Sequence, residues 1–179
     1  MDQRTRLTKT LLYNSIMEMA KETGIHKISI RELCNKAGIN RSTFYRYYGS
    51  QYDLINEMQD ELIDMIDNRV KSTVTENLYD KLIYSVLYVL NENVNMSRFL
   101  LISYKDQEFY KKLYAKVQPK EYIPDSINGI SEHLKEYVYT GYFTGVDEIV
   151  CLWIMKDNRE DVAEMTKLII ELQKRIFNK

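Results

Sequence analysis

The sequence has few of the residues that interrupt helices. It contains only two prolines and six glycines in 179 residues, and alternation of apolar and polar residues is scarce. Proline and glycine mark turns, and alternation is the pattern of a half-buried strand. Because apolar residues instead recur at intervals of three and four, the sequence predicts an all-α fold.

Cysteine and histidine are also scarce. Cys34 and Cys151 lie far apart and match neither a C-x-x-C motif nor a metal-ligand spacing. We expect both to be small buried hydrophobic residues of a reduced protein, not a disulfide. The sequence has no glycine-rich phosphate loop, and acids near His133 are expected to form a solvated face. It therefore predicts no metal, no cofactor and no catalytic residues.

Long apolar runs are absent as well. No run approaches the ~20 residues that a membrane-spanning helix needs. The first residues, MDQRTRLTKTLL, lack the apolar core of a signal peptide. We therefore expect a soluble cytoplasmic protein with no membrane partner.

Charge is distributed unevenly along the chain. Residues 1–51 carry nine Lys and Arg against four acidic residues, a net charge of +5, whereas residues 52–179 carry −6. A basic segment on an acidic remainder suggests that the first segment alone meets a polyanion such as nucleic acid. A chance fluctuation over a solvated surface is the alternative.

Helix start and stop signals divide the first part of the chain. Ser29 and Glu32 form a capping-box pattern that starts a helix, and Gly38 suits the left-handed turn that ends it. Asn40 is placed to cap a very short third helix through about Tyr47. Ser50 and Asp53 give a second capping signal for a long fourth helix. The first helix precedes them and ends at Gly24, with an apolar face of Leu7, Leu11, Leu12, Ile16 and Ala20.

The remainder also reads as helices. Pro119 is expected to end one helix, and Pro124 to open another that runs from Asp125 to about Tyr139. Gly141 and Gly145 are expected to break or bend the chain. The other predicted helices span 77–92, 96–104, 107–117, 146–155 and 161–177.

The short third helix has the composition of a DNA-reading helix. In a helix-turn-helix, the second helix docks by one narrow face and offers its remaining surface to the major groove. In NRSTFYRYYGSQYDL (40–54), Phe44 and Tyr48 supply the inward face. The DNA contacts predicted from this pattern, which include Ser29 at a helix N-terminus, are Ser29, Arg41, Ser42, Thr43, Tyr45, Arg46 and Tyr47. The alternative is an aromatic-rich three-helix corner with solvated arginines.

The segment ISIRELCNKAGINRSTFYRYYGSQYDLI closely resembles the TetR/AcrR family of bacterial repressors. The resemblance covers residues 5–56, and the spacing from Gly38 to Tyr45, Tyr48 and Leu54 matches the family pattern. The resemblance implies that Gln51 lies at a DNA contact and that seven further residues occupy DNA-facing positions: Arg31, Arg41, Ser42, Thr43, Tyr45, Arg46 and Tyr47. The sequence departs from the pattern at Tyr48, where Phe is usual, and at Gln51, where a lysine usually contacts phosphate.

The same resemblance implies that the C-terminal helices bind a small-molecule inducer and form a homodimer. YVYTGYFTGVDEIVCLWIMKDNREDVAEM looks like a subgroup that includes regulators of the dihydroxyacetone kinase activator type. The last two helices carry more apolar residues than one inner face needs, which favours a four-helix dimer interface. The residues predicted for it are Ile149, Leu152, Trp153, Met165, Leu168, Ile169, Leu172 and Ile176. Completion of the monomer core is the alternative.

Aromatic residues with polar tips could line a pocket in the central helices. The candidates are Tyr84, Tyr88, Phe99, Tyr104, Tyr114 and Tyr137. The alternative is that these side chains are ordinary core and surface residues. The sequence gives no physical basis for naming an inducer.

The sequence thus predicts an N-terminal three-helix helix-turn-helix head and a C-terminal antiparallel helical bundle that dimerises. The division is a DNA-binding domain, 1–50, and a ligand-binding and dimerisation domain, 51–179. The predicted function is a homodimeric repressor, not an enzyme, that binds a palindromic double-stranded DNA operator until an unknown small-molecule inducer releases it. A DNA-binding protein whose body binds a protein partner, with no inducer, is the alternative.

Overall fold

The computed structural model of the chain describes residues 3–73, 77–117 and 130–177. Within these ranges the protein is all-α, as predicted, and no strand occurs. The α-helices are α1 (Gln3–Thr23), α2 (Ile30–Ala37), α3 (Arg41–Tyr47), α4 (Gln51–Ser72), α5 (Leu78–Glu92), α6 (Val94–Arg98), α7 (Gln107–Val117), α8 (Lys135–Met155) and α9 (Val162–Phe177). None of the described helices is long and apolar enough to cross a membrane.

The head, α1 to α3, begins and ends its helices where the local signals predict. The Ser29 hydroxyl accepts a hydrogen bond from the backbone N–H of Glu32, and the Glu32 carboxylate accepts one from the backbone N–H of Ser29. Gly38 follows α2 with a φ of 66°, a left-handed conformation that costs glycine little. Asn40 occupies the N-cap position of α3, but its side chain makes no capping hydrogen bond. The turn is therefore fixed by Gly38 and by the backbone of α2.

The long helix α4 belongs to both parts of the molecule. Its first turn is held by the second predicted capping box, in which Asp53 accepts from the backbone of Gly49 and Ser50. Farther along, its inner face is completely buried in a core that also contains residues of α1 and of α5 to α7. The buried residues of α4 are Leu54, Ile55, Met58, Gln59, Leu62, Ile63 and Ile66. A movement of α4 would therefore change its packing against both the N-terminal helices and the helices of the body.

In the body, α5 to α9, helix α8 is continuous, and the predicted break at Gly141 and Gly145 is wrong. A glycine inside a helix costs about 1 kcal/mol relative to alanine. Burial of Tyr142, Val150 and Trp153 along the same helix outweighs this cost. Of the predicted 125–139 helix, Glu132–Leu134 form a 3-10 turn, and residues 135–139 are helical as the first residues of α8. Pro119, Pro124 and Asp125 lie outside the described residues.

The predicted helix over 96–104 is divided. Helix α6 ends at Arg98 and continues as π-helical turns over Phe99–Tyr104. Arg98 donates hydrogen bonds to the carbonyls of Ile154 (2.7 Å), Met155 (3.2 Å) and Lys156 (3.0 Å). Because these are among the unpaired carbonyls at the end of α8, the guanidinium acts as a cap and binds α6 to α8.

Candidate functional site: a basic helix and an internal cavity

Helix α3 presents most of its side chains outward. Arg41, Ser42, Tyr45, Arg46 and Tyr47 are exposed, and Thr43 is half-buried. Arg41 lies over the Tyr45 ring, with its guanidinium carbon 5.8 Å from the ring centroid. Arg46 has no hydrogen bond or ion pair with any described residue. The helix thus offers positive charge and hydroxyl groups on one accessible face, as a DNA-reading helix requires.

Phe44 and Tyr48 hold α3 in place. Phe44 is fully buried and Tyr48 is nearly so. The Tyr48 hydroxyl donates a hydrogen bond to the Glu57 carboxylate on α4, and Lys9 of α1 forms an ion pair with the same carboxylate. Tyr13 donates to it as well, at 3.3 Å. This Glu57 cluster of Lys9, Tyr13, Tyr48 and Glu57 joins the head to α4, a role that sequence reasoning missed when it treated Tyr48 as a mild change from Phe.

Hydrogen bonds and a nearby positive charge keep the Glu57 carboxylate ionised. Burial by itself would raise the pKa of Glu57, but the hydrogen bonds from Lys9, Tyr48 and Tyr13 outweigh it and lower the pKa. Burial raises the pKa of the Tyr48 hydroxyl, so that it remains a donor. The junction therefore combines a carboxylate with three donors from two other helices.

The DNA contacts predicted at the N-termini of α2 and α4 include side chains that are hydrogen-bonded within the protein or half-buried. The Ser29 hydroxyl donates to Glu32 (2.7 Å) and accepts from its backbone, so a phosphate would have to share it. The neighbouring Arg31 is exposed. Gln51 is half-buried and is the first residue of α4, where the partial positive charge of the helix end favours an anion. All nine DNA-contact residues remain predictions.

Replacing Gln51 by lysine should tighten binding to operator and to unrelated DNA alike. The added ammonium group would neutralise one more phosphate at the α4 N-terminus, so the slope of log affinity against log salt should steepen by about 1 per site. Fluorescence anisotropy titrations at several salt concentrations measure both quantities. Gln51→Met is the matched control without the charge. A gain confined to the operator would show that Gln51 lies at a base edge and not at a phosphate.

The body contains a cavity between α5, α7 and α8. Its volume is about 80 Å³, room for two or three water molecules at about 30 Å³ each. Typical ligand pockets are larger, about 300–1,000 Å³. A sizeable ligand would therefore have to move these helices apart. The apolar part of the lining consists of Leu82, Ile83, Val86, Leu87, Leu90, Leu101, Phe109, Leu113, Val117, Phe143, Val146, Val150 and Ile169.

Polar groups enter this cavity from α7 and α8. The Tyr114 hydroxyl donates a hydrogen bond to the Asp147 carboxylate. The Tyr110 hydroxyl lies 3.7 Å from the Cys151 sulfur. Burial raises the pKa of Asp147 to about 6, although the Tyr114 hydrogen bond acts in the opposite direction. Sequence reasoning missed Asp147, since its partner is 33 residues away.

The predicted pocket residues are mostly elsewhere. Of the six, Tyr114 lines the cavity, whereas the others are not part of its lining. Arg69 of α4 lies over the rings of Tyr84 and Tyr88, at 5.9 and 4.0 Å from their centroids. Phe99 stacks on Tyr104, and Tyr137 is 75% exposed. Aromatic rings in this chain serve packing between helices as well as the cavity.

The predicted dimer residues fall into two groups. Trp153, Met165 and Ile169 are buried within the protomer, so they cannot form an exposed interface. The Trp153 indole also donates to the Glu160 carbonyl of its own chain at 2.8 Å. These three side chains belong to the core of the protomer, and the dimer interface stays a prediction. Leu152, Leu168 and Ile176 are exposed, and Ile149 and Leu172 are half-buried.

A short basic helix that follows a tight turn and rests on two others defines a helix-turn-helix DNA-binding protein, here with an all-α body. Residues 12–58 match the model of the bacterial regulatory proteins of the tetR family. The segment that holds most of α1, all of α2 and α3 and the start of α4 is therefore similar to that family of regulators.

The similarity to other known proteins covers nearly the whole chain. The fatty acid metabolism regulator protein of Bacillus subtilis (strain 168) is 20% identical over 182 residues, which is 90% of this chain and 91% of that one. A TetR transcriptional regulator from Streptococcus agalactiae 2603V has a TM-score of 0.67 at 20% identity, with 96% of each chain covered.

Two further structures share the fold. FadR from Bacillus subtilis, solved with stearoyl-CoA, has a TM-score of 0.61 at 17% identity and covers 95% of this chain and 98% of its own. The dihydroxyacetone kinase operon activator DhaS has a TM-score of 0.56, with the same identity and coverage. The resemblance to that subgroup is therefore a likeness of fold.

Proposed function

We propose that the protein is a homodimeric repressor that leaves a palindromic operator when a small molecule enters the α5–α7–α8 cavity. The observation that carries the proposal is the position of α7, which lines the cavity on one side and is ion-paired with α4 on the other. In this proposal residues 1–50 bind DNA, and residues 51–179 bind the ligand and the second protomer.

Exposed apolar residues on α8 and α9 support the homodimer. Leu152 is 67% exposed, Met155 54%, Leu168 46% and Ile176 43%. Large apolar side chains grouped on two helices favour burial against a partner, and an equivalent pair from a second copy gives a symmetric four-helix interface. Such a dimer offers two copies of α3 to a palindrome. Analytical ultracentrifugation should give twice the 21.4 kDa chain mass.

Ion pairs connect α7 to α4. Lys112 lies 2.9 Å from Asp60, and Lys116 lies 3.5 Å from Asp64 and 3.6 Å from Asp67. We call these pairs the α4–α7 ladder. Since the cavity-lining residues Phe109, Tyr110, Leu113 and Tyr114 belong to the same helix, a ligand that displaces α7 strains the ladder.

Helix α4 links the α4–α7 ladder to the DNA-binding head. Glu57 lies one turn before Asp60 and is bound to Lys9, Tyr13 and Tyr48 of the head. A shift of α4 therefore changes the position of α3. A ligand can drive this only by binding one arrangement more tightly than the other, and the small cavity supplies that difference because it must widen around a sizeable ligand.

The Lys112→Ala, Lys116→Ala double variant should bind ligand normally but respond to it weakly. Four eight-carbon probes, octylamine, octanol, octanoate and octanoyl-CoA, are first tested for a rise in melting temperature. The operator is recovered by in vitro selection with the unaltered protein. A bound probe should weaken operator binding by about 5–150-fold, the usual range of allosteric coupling, and the double variant should lose most of that effect.

Lys111→Ala is the matched control, because Lys111 pairs with Glu108 on its own helix and does not reach α4. It should keep the full response. If no probe changed operator affinity while the protein bound DNA, the inducer would be contradicted, and a body that binds a protein partner would be favoured.

A further inference from the structure

We propose that the cavity selects ligands with an apolar body and a positively charged amine, and that the Asp147 carboxylate pairs with this amine. The inference rests on the proposed function, since it names the ligand class of the same cavity. It is carried by one acidic side chain that the cavity leaves without a positive partner.

Asp147 is poorly satisfied by the protein. Tyr114 donates to one carboxylate oxygen, and no other hydrogen bond to this side chain occurs among the described residues. An ionised carboxylate accepts about four hydrogen bonds in water. The side chain is half-buried in a mostly aliphatic and aromatic lining, so its charge is costly there and a cationic partner would lower that cost.

The described residues give the cavity no positive charge. Among the lining residues in ranges 3–73, 77–117 and 130–177, none is a lysine, arginine or histidine. The nearby Lys105 pairs instead with Glu148, at 3.1 Å, and both of these side chains are more than half exposed. Asp147 and Glu148 are adjacent in sequence, but only Asp147 lines the cavity. A ligand ammonium group would supply the missing countercharge and donate to the unpaired oxygen.

Three aromatic rings lie beside one another in the cavity lining. Tyr114 and Phe143 have ring centroids 5.9 Å apart, and Tyr110 lies 6.4 Å from Tyr114. All three line the cavity with Asp147. Ring faces attract cations, most strongly where water is excluded. A carboxylate ligand would meet both a like charge and these ring faces, and a neutral alcohol would leave the charge uncompensated.

The test compares octylamine with octanol and octanoate, which have the same eight-carbon chain. Isothermal titration calorimetry at pH 8 should show octylamine binding at least about tenfold more tightly than either, as expected for a charge pair formed away from water. Asp147→Asn keeps the shape and can still accept from Tyr114, and it should remove this preference. Glu148→Gln is the matched control and should retain it.

The outcomes separate this inference from the proposed function. If octanoate or octanoyl-CoA bound as tightly as octylamine, or if Asp147→Asn kept the preference for the amine, the amine assignment would be wrong while a ligand-responsive repressor still stood. If every probe failed to bind, both would be contradicted. Thermal unfolding of each variant checks that the fold is intact.

Discussion

Arg46→Ala should weaken binding to the selected operator by at least about 30-fold. An arginine bound to a guanine edge contributes about 1–3 kcal/mol per site, and a dimer loses two such contacts. Arg46 is exposed on α3 and has no described intramolecular partner, so its removal should leave the free protein's stability almost unchanged. The measurement is the equilibrium affinity for operator and for unrelated DNA, each across a range of salt concentrations.

The ratio of the two affinities decides the role of Arg46. A base contact lowers operator affinity more than unrelated-DNA affinity, whereas a phosphate contact lowers both. Lys21→Ala is the control: it removes one charge from the head, at the end of α1, outside the predicted contact set. If Lys21→Ala and Arg46→Ala weakened operator binding equally, overall charge and not α3 would account for recognition.

Asp147→Asn should stabilise the protein at neutral pH, by about 1–2 kcal/mol. Burial raises the pKa of Asp147 from 3.8 to about 6. A carboxyl group with a raised pKa holds its proton more tightly in the folded state than in the unfolded state. Its ionisation therefore lowers stability as the pH rises from about 4 to 6, and above pH 6 the penalty is complete. Two pKa units correspond to about 3 kcal/mol, and partial exposure of the side chain reduces the effect.

Urea unfolding of the two proteins at pH 7.5 and pH 4 measures this difference. The advantage of Asp147→Asn should be present at pH 7.5 and small at pH 4, where the folded wild-type side chain is already protonated. Glu148→Gln removes only the smallest cause of the raised pKa of Asp147, so most of the loss of stability on ionisation of Asp147 should remain in this variant. An equal gain at both pH values would mean that the asparagine acts through packing and not through charge. A stability cost retained in the natural sequence is typical of a binding site.

Short-range signals in the sequence are sufficient to predict the local structure of the head. Ser29, Glu32 and Gly38 fix the ends of α2, and Ser50 with Asp53 fixes the start of α4, because each signal acts within four residues of the backbone group that it satisfies. The spacing of apolar residues likewise placed Phe44 inside and Arg46 outside. These interactions are short-range, so the residues that make them can be read directly from the chain.

The arrangement of the body depends on long-range packing, which the sequence pattern does not show. The Gly141 and Gly145 positions stay helical because long-range packing of α8 outweighs their local preference. Trp153 and Ile169 fill the protomer core although an apolar pattern alone fits a dimer interface equally well.

The site itself depends on the same long-range packing. Asp147 meets Tyr114, and Glu57 meets Lys9 and Tyr48, across 33, 48 and 9 residues of sequence. Periodicity shows which face of a helix is buried, but it does not show which other helix covers that face. Which helices lie together is set by the packing of the whole core, and that packing brings an acid into an apolar cavity.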